Sequence, residues 1–104
     1  MLPPDTRYEE SPVAEAEEKV AEPPLFKVLL HNDDYTTMEF VVWVLESVFN
    51  MPEEQAIQVM LNVHLRGIGV AGIYTYEVAE TKVEKTTALA REHEYPLLVT
   101  LEPV

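Results

Sequence analysis

The pattern of apolar and polar residues divides the chain into short elements separated by polar turns. Residues 26–31 alternate loosely between apolar and polar side chains and predict a strand. The polar cluster from Asn32 to Thr36 predicts a turn. Thr36 and Glu39 have the spacing of a capping box, so we expect the first helix to begin there.

Two helical stretches follow this turn. The first shows apolar residues at helical spacing, at Val41, Val44, Leu45 and Val48, and Asn50 suits its end. The second opens at Pro52, which is tolerated in a first turn, and the acids after it suit the positive end of the helix dipole. It carries two neighbouring apolar stripes, one at Ala56, Met60 and Val63 and the other at Ile57, Leu61 and Leu65. Gly67 is the expected C-terminal cap.

The last third of the chain predicts a strand, a helix and a strand. Residues 70–74 form the strand, Thr75 can cap the helix, and residues 97–102 alternate as a final strand with one face to water. The resulting order β-α-α-β-α-β predicts an α/β two-layer sandwich, with a three-stranded antiparallel sheet packed against three helices. The order in which the strands pair is left open.

Composition narrows the classes of partner. The 104 residues include 19 acids and 7 bases, for a net charge of -12, and cysteine is absent. This charge argues against nucleic acids and anionic membrane surfaces, which attract basic proteins. No apolar run approaches the ~20 residues that span a bilayer, and no secretory signal is recognisable. We therefore expect a cytoplasmic protein with cationic or mixed-charge partners.

Charge and proline also separate a tail from a domain. Residues 1–24 contain seven acids, two bases and five of the eight prolines, and few large apolar residues. Such a segment cannot bury enough surface to offset its ordering entropy, so we expect a disordered, acidic N-terminal extension. Residues 25–104 carry nearly all the branched and aromatic side chains and are the expected folded domain.

The most suggestive polar residues are Asn32, Asp33 and Asp34, between a predicted strand and a predicted helix. Turn and capping chemistry explains them most simply. With His31 and His64 they could ligate a metal, but calcium-loop spacing is missing. They could also recognise a cation, since an ammonium group offers three hydrogen-bond donors to such acceptors.

Catalysis by a Ser-His-Asp triad has little support. Of the two serines, Ser11 lies in the tail and Ser47 lies within a helix. His64 can be a histidine near a helix C-terminus or part of a polar rim with Asn32 and Asp33. Other candidates have an ordinary structural explanation as well as a functional one: Met38, Met60, Val63 and Trp43 as core, and Glu77 and Lys82 as solvated helix charges.

Taken together, four blocks of sequence resemble the ClpS family, the adaptors that hand N-end-rule substrates to a Clp AAA+ protease. The first comprises Asn32 to Thr36 and Met38 to Val41, whereas Thr37 between them departs from the family pattern. The others are Met60 with Val63, His64 and Gly67; Glu77 to Lys82; and Pro96-Leu97-Leu98 with Thr100-Leu101-Glu102. The resemblance covers residues 23–104 with its spacing kept.

The resemblance implies a binding protein without catalytic residues, cofactor or metal. It implies recognition of N-degrons, which begin with Leu, Phe, Tyr or Trp, and a monomer that contacts the N-domain of ClpA or ClpC. The implied roles are Asn32, Asp33 and His64 for the α-amino group; Asp34 and Thr36 for the pocket mouth; Met38, Met60, Val63 and Leu97 for the side-chain pocket; and Glu77 and Lys82 for the AAA+ partner. The alternative, a ribosomal-stalk-like interaction domain, rests on fold analogy.

Overall fold

The computed structural model describes residues 22–104, and the prediction of a disordered extension at residues 1–24 falls almost entirely outside this part. The elements follow the predicted order. Their bounds are β1 Leu25–His31, α1 Met38–Ser47, α2 Glu53–Arg66, β2 Ile68–Thr75, α3 Tyr76–Glu92 and β3 Leu98–Pro103. In this part of the chain, no helix is long and apolar enough to cross a membrane.

The three strands form one antiparallel sheet in the order β2-β1-β3. α3 contacts all three strands, and α2 packs against β2 and α1. Strand residues that face the helices are buried, such as Val28, Leu30 and Val99, whereas Leu98 and Val70 on the open face are exposed. The predicted two-layer sandwich is confirmed, and the pairing order that the sequence left open is now defined.

The start of α1 differs from the prediction. Its N-cap is Thr37, whose hydroxyl accepts a hydrogen bond of 3.1 Å from the backbone N–H of Phe40. The predicted cap, Thr36, instead donates its hydroxyl to the Asp33 carboxylate at 2.7 Å. The prediction of a Thr36 cap was wrong because two adjacent threonines offered the same chemistry, and Asp33 engages the first.

The helix ends agree with the predicted glycine and asparagine signals. Gly67 ends α2 in the left-handed conformation, with φ of 89°, and Asn50 follows α1 with φ of 58°. Both residue types tolerate positive φ better than others. β2 begins at Ile68, two residues earlier than predicted, so the chain turns directly from α2 into the sheet.

The direction of each element places two sets of loops at opposite ends of the sheet. His31 pairs with Ile68 and Leu98 at one end of β1, and Leu25 pairs with Thr75 at the other. These ends are about 20 Å apart, because a strand rises ~3.3 Å per residue. We call the His31 end the loop end.

Candidate functional site

The loop between β1 and α1 is organised around the carboxylate of Asp33. Its Oδ1 accepts hydrogen bonds from the backbone N–H groups of Tyr35 at 2.8 Å and Thr36 at 2.7 Å, and its Oδ2 accepts the Thr36 hydroxyl. An aspartate that accepts from the residues after it stabilises a turn of this kind. The loop therefore has a defined shape, and Asn32, Asp34 and Tyr35 are displayed on its surface.

A second set of contacts ties this loop to the end of α2. The backbone N–H of Asn32 donates to the Gly67 carbonyl oxygen at 2.9 Å. The left-handed Gly67 allows the chain to leave α2 and enter β2 beside β1. His64, three residues before Gly67 and exposed, is thereby brought next to the Asn32–Thr36 loop.

A cavity of about 560 Å³ opens between this loop, the first half of α1 and the second half of α2. Its lining residues are Asn32, Asp33, Asp34, Tyr35, Thr36, Thr37, Met38, Glu39, Val41, Met60, Val63 and His64. The polar members come mainly from the loop, and the apolar members come from the two helices. The cavity thus combines a polar rim with an apolar wall.

The apolar wall is built from both buried and accessible side chains. Val41 and Val63 are 5% and 3% exposed, so they belong to the core and to the cavity at once. α2 approaches β2 so closely here that a Cβ on Gly69 would lie only 2.7 Å from Cγ2 of Val63. Met38 is 44% exposed at the rim. Methionine suits such a position, since its unbranched thioether adapts to different apolar ligands.

The rim is negatively charged. Asp33, Asp34 and Glu39 contribute carboxylates, and among the described residues His64 contributes the one basic side chain of the lining. Partial burial raises the pKa of Asp33, but the hydrogen bonds from Thr36 and Tyr35 outweigh this effect, so the pKa lies below its usual value. Asp33 is therefore an anion across the physiological pH range. A ligand with a cationic head and an apolar side chain fits these surroundings.

Eight of the residues singled out in the sequence meet around this cavity: Asn32, Asp33, Asp34, Thr36, Met38, Met60, Val63 and His64. Leu97, predicted to line the side-chain pocket, is absent from the lining. It is 5% exposed and belongs to the buried cluster that also contains Val41 and Val63. Its place is in the core that supports the cavity wall.

Glu77 and Lys82 lie away from the cavity, on α3. This helix starts directly after Thr75, which pairs with Leu25 at the far end of β1 from the loop end. Glu77 is exposed in the first turn of α3. The residues predicted for the partner surface therefore lie on a helix that starts at the opposite end of β1 from the cavity.

Lys82 has a structural role that the sequence did not predict. It is half-buried, and its ammonium group donates to the Val48 carbonyl oxygen at 2.6 Å, just past the end of α1. The nitrogen lies 5.8 Å and 5.7 Å from the ring centroids of Phe49 and Tyr74. A cation is favourable both at a helix C-terminus and over aromatic rings. Lys82 thus ties α3 to the end of α1.

Four lining residues were missed as site residues: Tyr35, Thr37, Glu39 and Val41. Val41 follows the apolar periodicity of α1, so its sequence signal was that of a core residue. Glu39 lies next to Met38, in the first turn of the helix that begins at the loop. This position was the sequence signal that could have identified it as a site residue. Metal binding gains no support, because within residues 22–104 no three His, Cys, Asp or Glu side chains are placed so that they could hold a metal ion together.

Comparisons with known proteins agree on one family. A family model described as the ATP-dependent Clp protease adaptor protein ClpS matches residues 21–100. The Clp protease adapter ClpS of Myxococcus xanthus is 57% identical over 86 residues, which are 83% of this chain and 80% of the relative. That of Methylococcus capsulatus is 58% identical over 88 residues, which are 85% of this chain and 83% of the relative.

A solved structure is also similar. It is that of Agrobacterium tumefaciens ClpS2 bound to L-phenylalaninamide, with a TM-score of 0.77 and 43% sequence identity. The similarity covers 80% of this chain and 100% of that chain.

The Asp33 turn leads to a prediction about pH. Thr36→Val removes the hydroxyl that donates to Oδ2, so the pKa of Asp33 should rise. A carboxyl whose pKa is lower in the folded protein stabilises the fold above its unfolded pKa, and this contribution is lost as pH falls through the folded pKa. The wild type should therefore keep the stabilising contribution of the Asp33 carboxylate down to a lower pH than the variant does. Carboxyl-carbon NMR titration of Asp33, together with acid unfolding, measures both effects.

Thr87→Val on α3 is the matched control, since it makes the same chemical change at a residue that does not line the cavity. An Asp33 pKa that is the same in Thr36→Val and in the wild type would show that the hydroxyl does not stabilise the carboxylate.

Proposed function

The chain belongs to the ClpS family of adaptors for the ATP-dependent Clp protease, and we propose that it binds proteins through a free N-terminal Leu, Phe, Tyr or Trp and delivers them to that protease. An adaptor of this kind is not an enzyme. The observation that carries the proposal is the cavity at the loop end, where an anionic rim surrounds an apolar wall. The similar ClpS2 structure, which holds a phenylalanine derivative, supports the same kind of ligand.

The α-amino group binds at Asn32, Asp33 and His64 in this proposal. A carboxylate offers about four acceptor positions, and the loop uses three of those on Asp33, two at Oδ1 and one at Oδ2. Oδ2 therefore keeps an acceptor position for an ammonium donor. The side chains of Asn32 and His64 line the same cavity. Asp34 and Thr36 shape its mouth.

The first side chain enters the apolar part of the cavity, against Met38, Met60, Val41 and Val63. Burial of a Leu or Phe side chain contributes roughly 1.5–3 kcal/mol, and each hydrogen bond to a charged group adds ~1.5–3 kcal/mol. After the costs of association, these terms suggest a dissociation constant on the order of micromolar. Met38 stands at the rim and disfavours β-branched side chains by steric contact near Cβ.

Delivery requires a second surface, and we assign it to the start of α3. Glu77 and Lys82 contact the N-domain of ClpA or ClpC in this proposal. The separation of about 20 Å between the two ends of β1 leaves the cavity accessible while the partner is bound. In this proposal, residues 1–24 are needed for delivery but not for binding, residues 25–104 form the adaptor domain with both surfaces, and the protein acts as a cytoplasmic monomer.

Recognition of the amine is tested with a Phe-initiated peptide and its N-acetylated form. Acetylation removes the charge and leaves at least two acceptors unpaired, at roughly 1–3 kcal/mol each. We expect the acetylated peptide to bind at least about 30-fold more weakly. Fluorescence anisotropy titration measures both affinities.

An Ala-initiated peptide with a free amine separates the contribution of the side chain from that of the amine. Equal affinity for the free and acetylated Phe peptides would exclude recognition of the N-terminus.

The gatekeeper role of Met38 gives a second prediction for the same peptides. Met38→Ala should raise the affinity for Ile- or Val-initiated peptides by about tenfold, because apolar pockets discriminate between similar side chains by ~1–3 kcal/mol. Met51→Ala is the matched control, since Met51 packs against the core but does not line the cavity. If Met38→Ala gained no affinity for these peptides, or gained no more than Met51→Ala, Met38 would not determine the exclusion of β-branched residues.

The assignment of α3 is tested by Glu77→Ala. We expect its affinity for a ClpA or ClpC N-domain to fall about tenfold, as for other interface contacts worth more than 1 kcal/mol, with peptide affinity unchanged. Glu92→Ala, an exposed acid at the other end of α3, is the control. Lys82→Met should weaken N-domain binding and also lower the free energy of unfolding by about 1 kcal/mol, because it leaves the Val48 carbonyl unpaired.

Full retention of N-domain binding in Glu77→Ala and Lys82→Met would place the partner surface elsewhere on the protein.

A further inference from the structure

A second groove lies beside the cavity, between α1 and α2. Its volume is about 310 Å³, and its lining residues are Met38, Glu39, Val42, Trp43, Glu46, Ile57 and Met60. Met38, Glu39 and Met60 line the cavity as well. The two depressions are therefore adjacent, with Met38, Glu39 and Met60 between them, and a chain that leaves the cavity over Met38 reaches the groove next.

Trp43 forms the most distinctive part of the groove. It is 42% exposed, although most of its neighbours on α1 are buried. Its ring packs against Phe40 and His93, with centroid distances of 5.7 Å and 5.4 Å. These contacts hold the indole in place while part of its surface stays accessible. An accessible aromatic face attracts both aliphatic chains and cations.

The groove is acidic along α1. Glu39 and Glu46 are seven residues apart, so they lie on the same side of the helix, with Trp43 between them. Lys and Arg are absent from its lining, which is drawn from described residues only. A side chain with an apolar stem and a cationic head matches this arrangement, since the stem can cover Trp43 and Ile57 while the head approaches a carboxylate.

The spacing along α1 indicates which ligand residue could reach the groove. A helix rises 1.5 Å per residue, so Trp43 lies about 7.5 Å and Glu46 about 12 Å from Met38. An extended peptide covers ~3.3 Å per residue. With the first residue held at Met38, the third residue reaches Trp43 and the fourth approaches Glu46.

We propose that this groove is a second subsite, which takes an Arg or Lys side chain from the third or fourth position of a bound N-terminal peptide. The subsite rests on the proposed function, because it needs the first residue to be held in the cavity. It adds a preference at positions beyond the N-terminal residue.

The test uses Phe-initiated peptides that differ only at positions 3 and 4, with Arg, Ala or Glu at each. The peptides with Arg should bind about three- to tenfold more tightly than those with Ala, because Arg can form an exposed ion pair and a cation–π contact. Glu should bind more weakly than Ala. Phenylalaninamide has no third residue, so its binding to the wild type tests the cavity alone. Its failure to bind would refute the proposed function, whereas its binding with equal peptide affinities would refute only the subsite.

Variants assign the preference to the groove. Glu46→Gln and Trp43→Ala should each reduce the Arg-to-Ala affinity ratio towards one. Glu84→Gln removes the same charge from an exposed position on α3 and should keep the wild-type ratio. If Glu84→Gln and Glu46→Gln reduced the Arg-to-Ala affinity ratio equally, the preference would result from the net charge of the protein, and the subsite would be overturned. A wild-type ratio in Glu46→Gln would also overturn it, whatever the stability of Trp43→Ala.

Discussion

The site depends on the hydrogen bonds that the Asp33 carboxylate accepts from Tyr35 and Thr36. They shape the connection between β1 and α1, and the Asn32–Gly67 contact attaches this connection to the end of α2. Without them, the acceptors of the loop would not face the apolar wall that the helices supply. The same hydrogen bonds lower the pKa of Asp33, so the group that orders the loop also carries its charge.

The direction of the helices also separates the cavity from the surface that we propose for delivery. α1 begins at the loop end and α2 finishes there, while α3 starts at the far end of the sheet. Lys82 links α3 to the end of α1 through the Val48 carbonyl oxygen. The proposed partner surface is thus joined to the same helix that lines the cavity, yet lies away from the cavity mouth. In the proposed function, this arrangement lets one small domain hold a peptide and a partner at once.

Periodicity in the sequence was sufficient to predict the element order and the two-layer sandwich, because apolar spacing and turn residues are local signals. It could not distinguish Thr36 from Thr37 as the cap, since only the folded loop shows which hydroxyl Asp33 engages. It also could not assign Val41 to the cavity, because a residue that lines both core and cavity has the periodicity of a core residue. The site residues came from the resemblance to a family, and the structure shows which of them share one cavity.

α1 illustrates why so short a chain can still build a specific site. Val44 and Leu45 on one side of this helix are fully buried and hold it against the rest of the core. Met38, at its first turn, lines the cavity, and Trp43 with Glu46 lines the groove. A helix fixed by its buried side has its exposed sides fixed as well, so no additional elements are needed to orient the residues that line the cavity and the groove. The buried side of α1 therefore positions the residues that line the cavity and the groove.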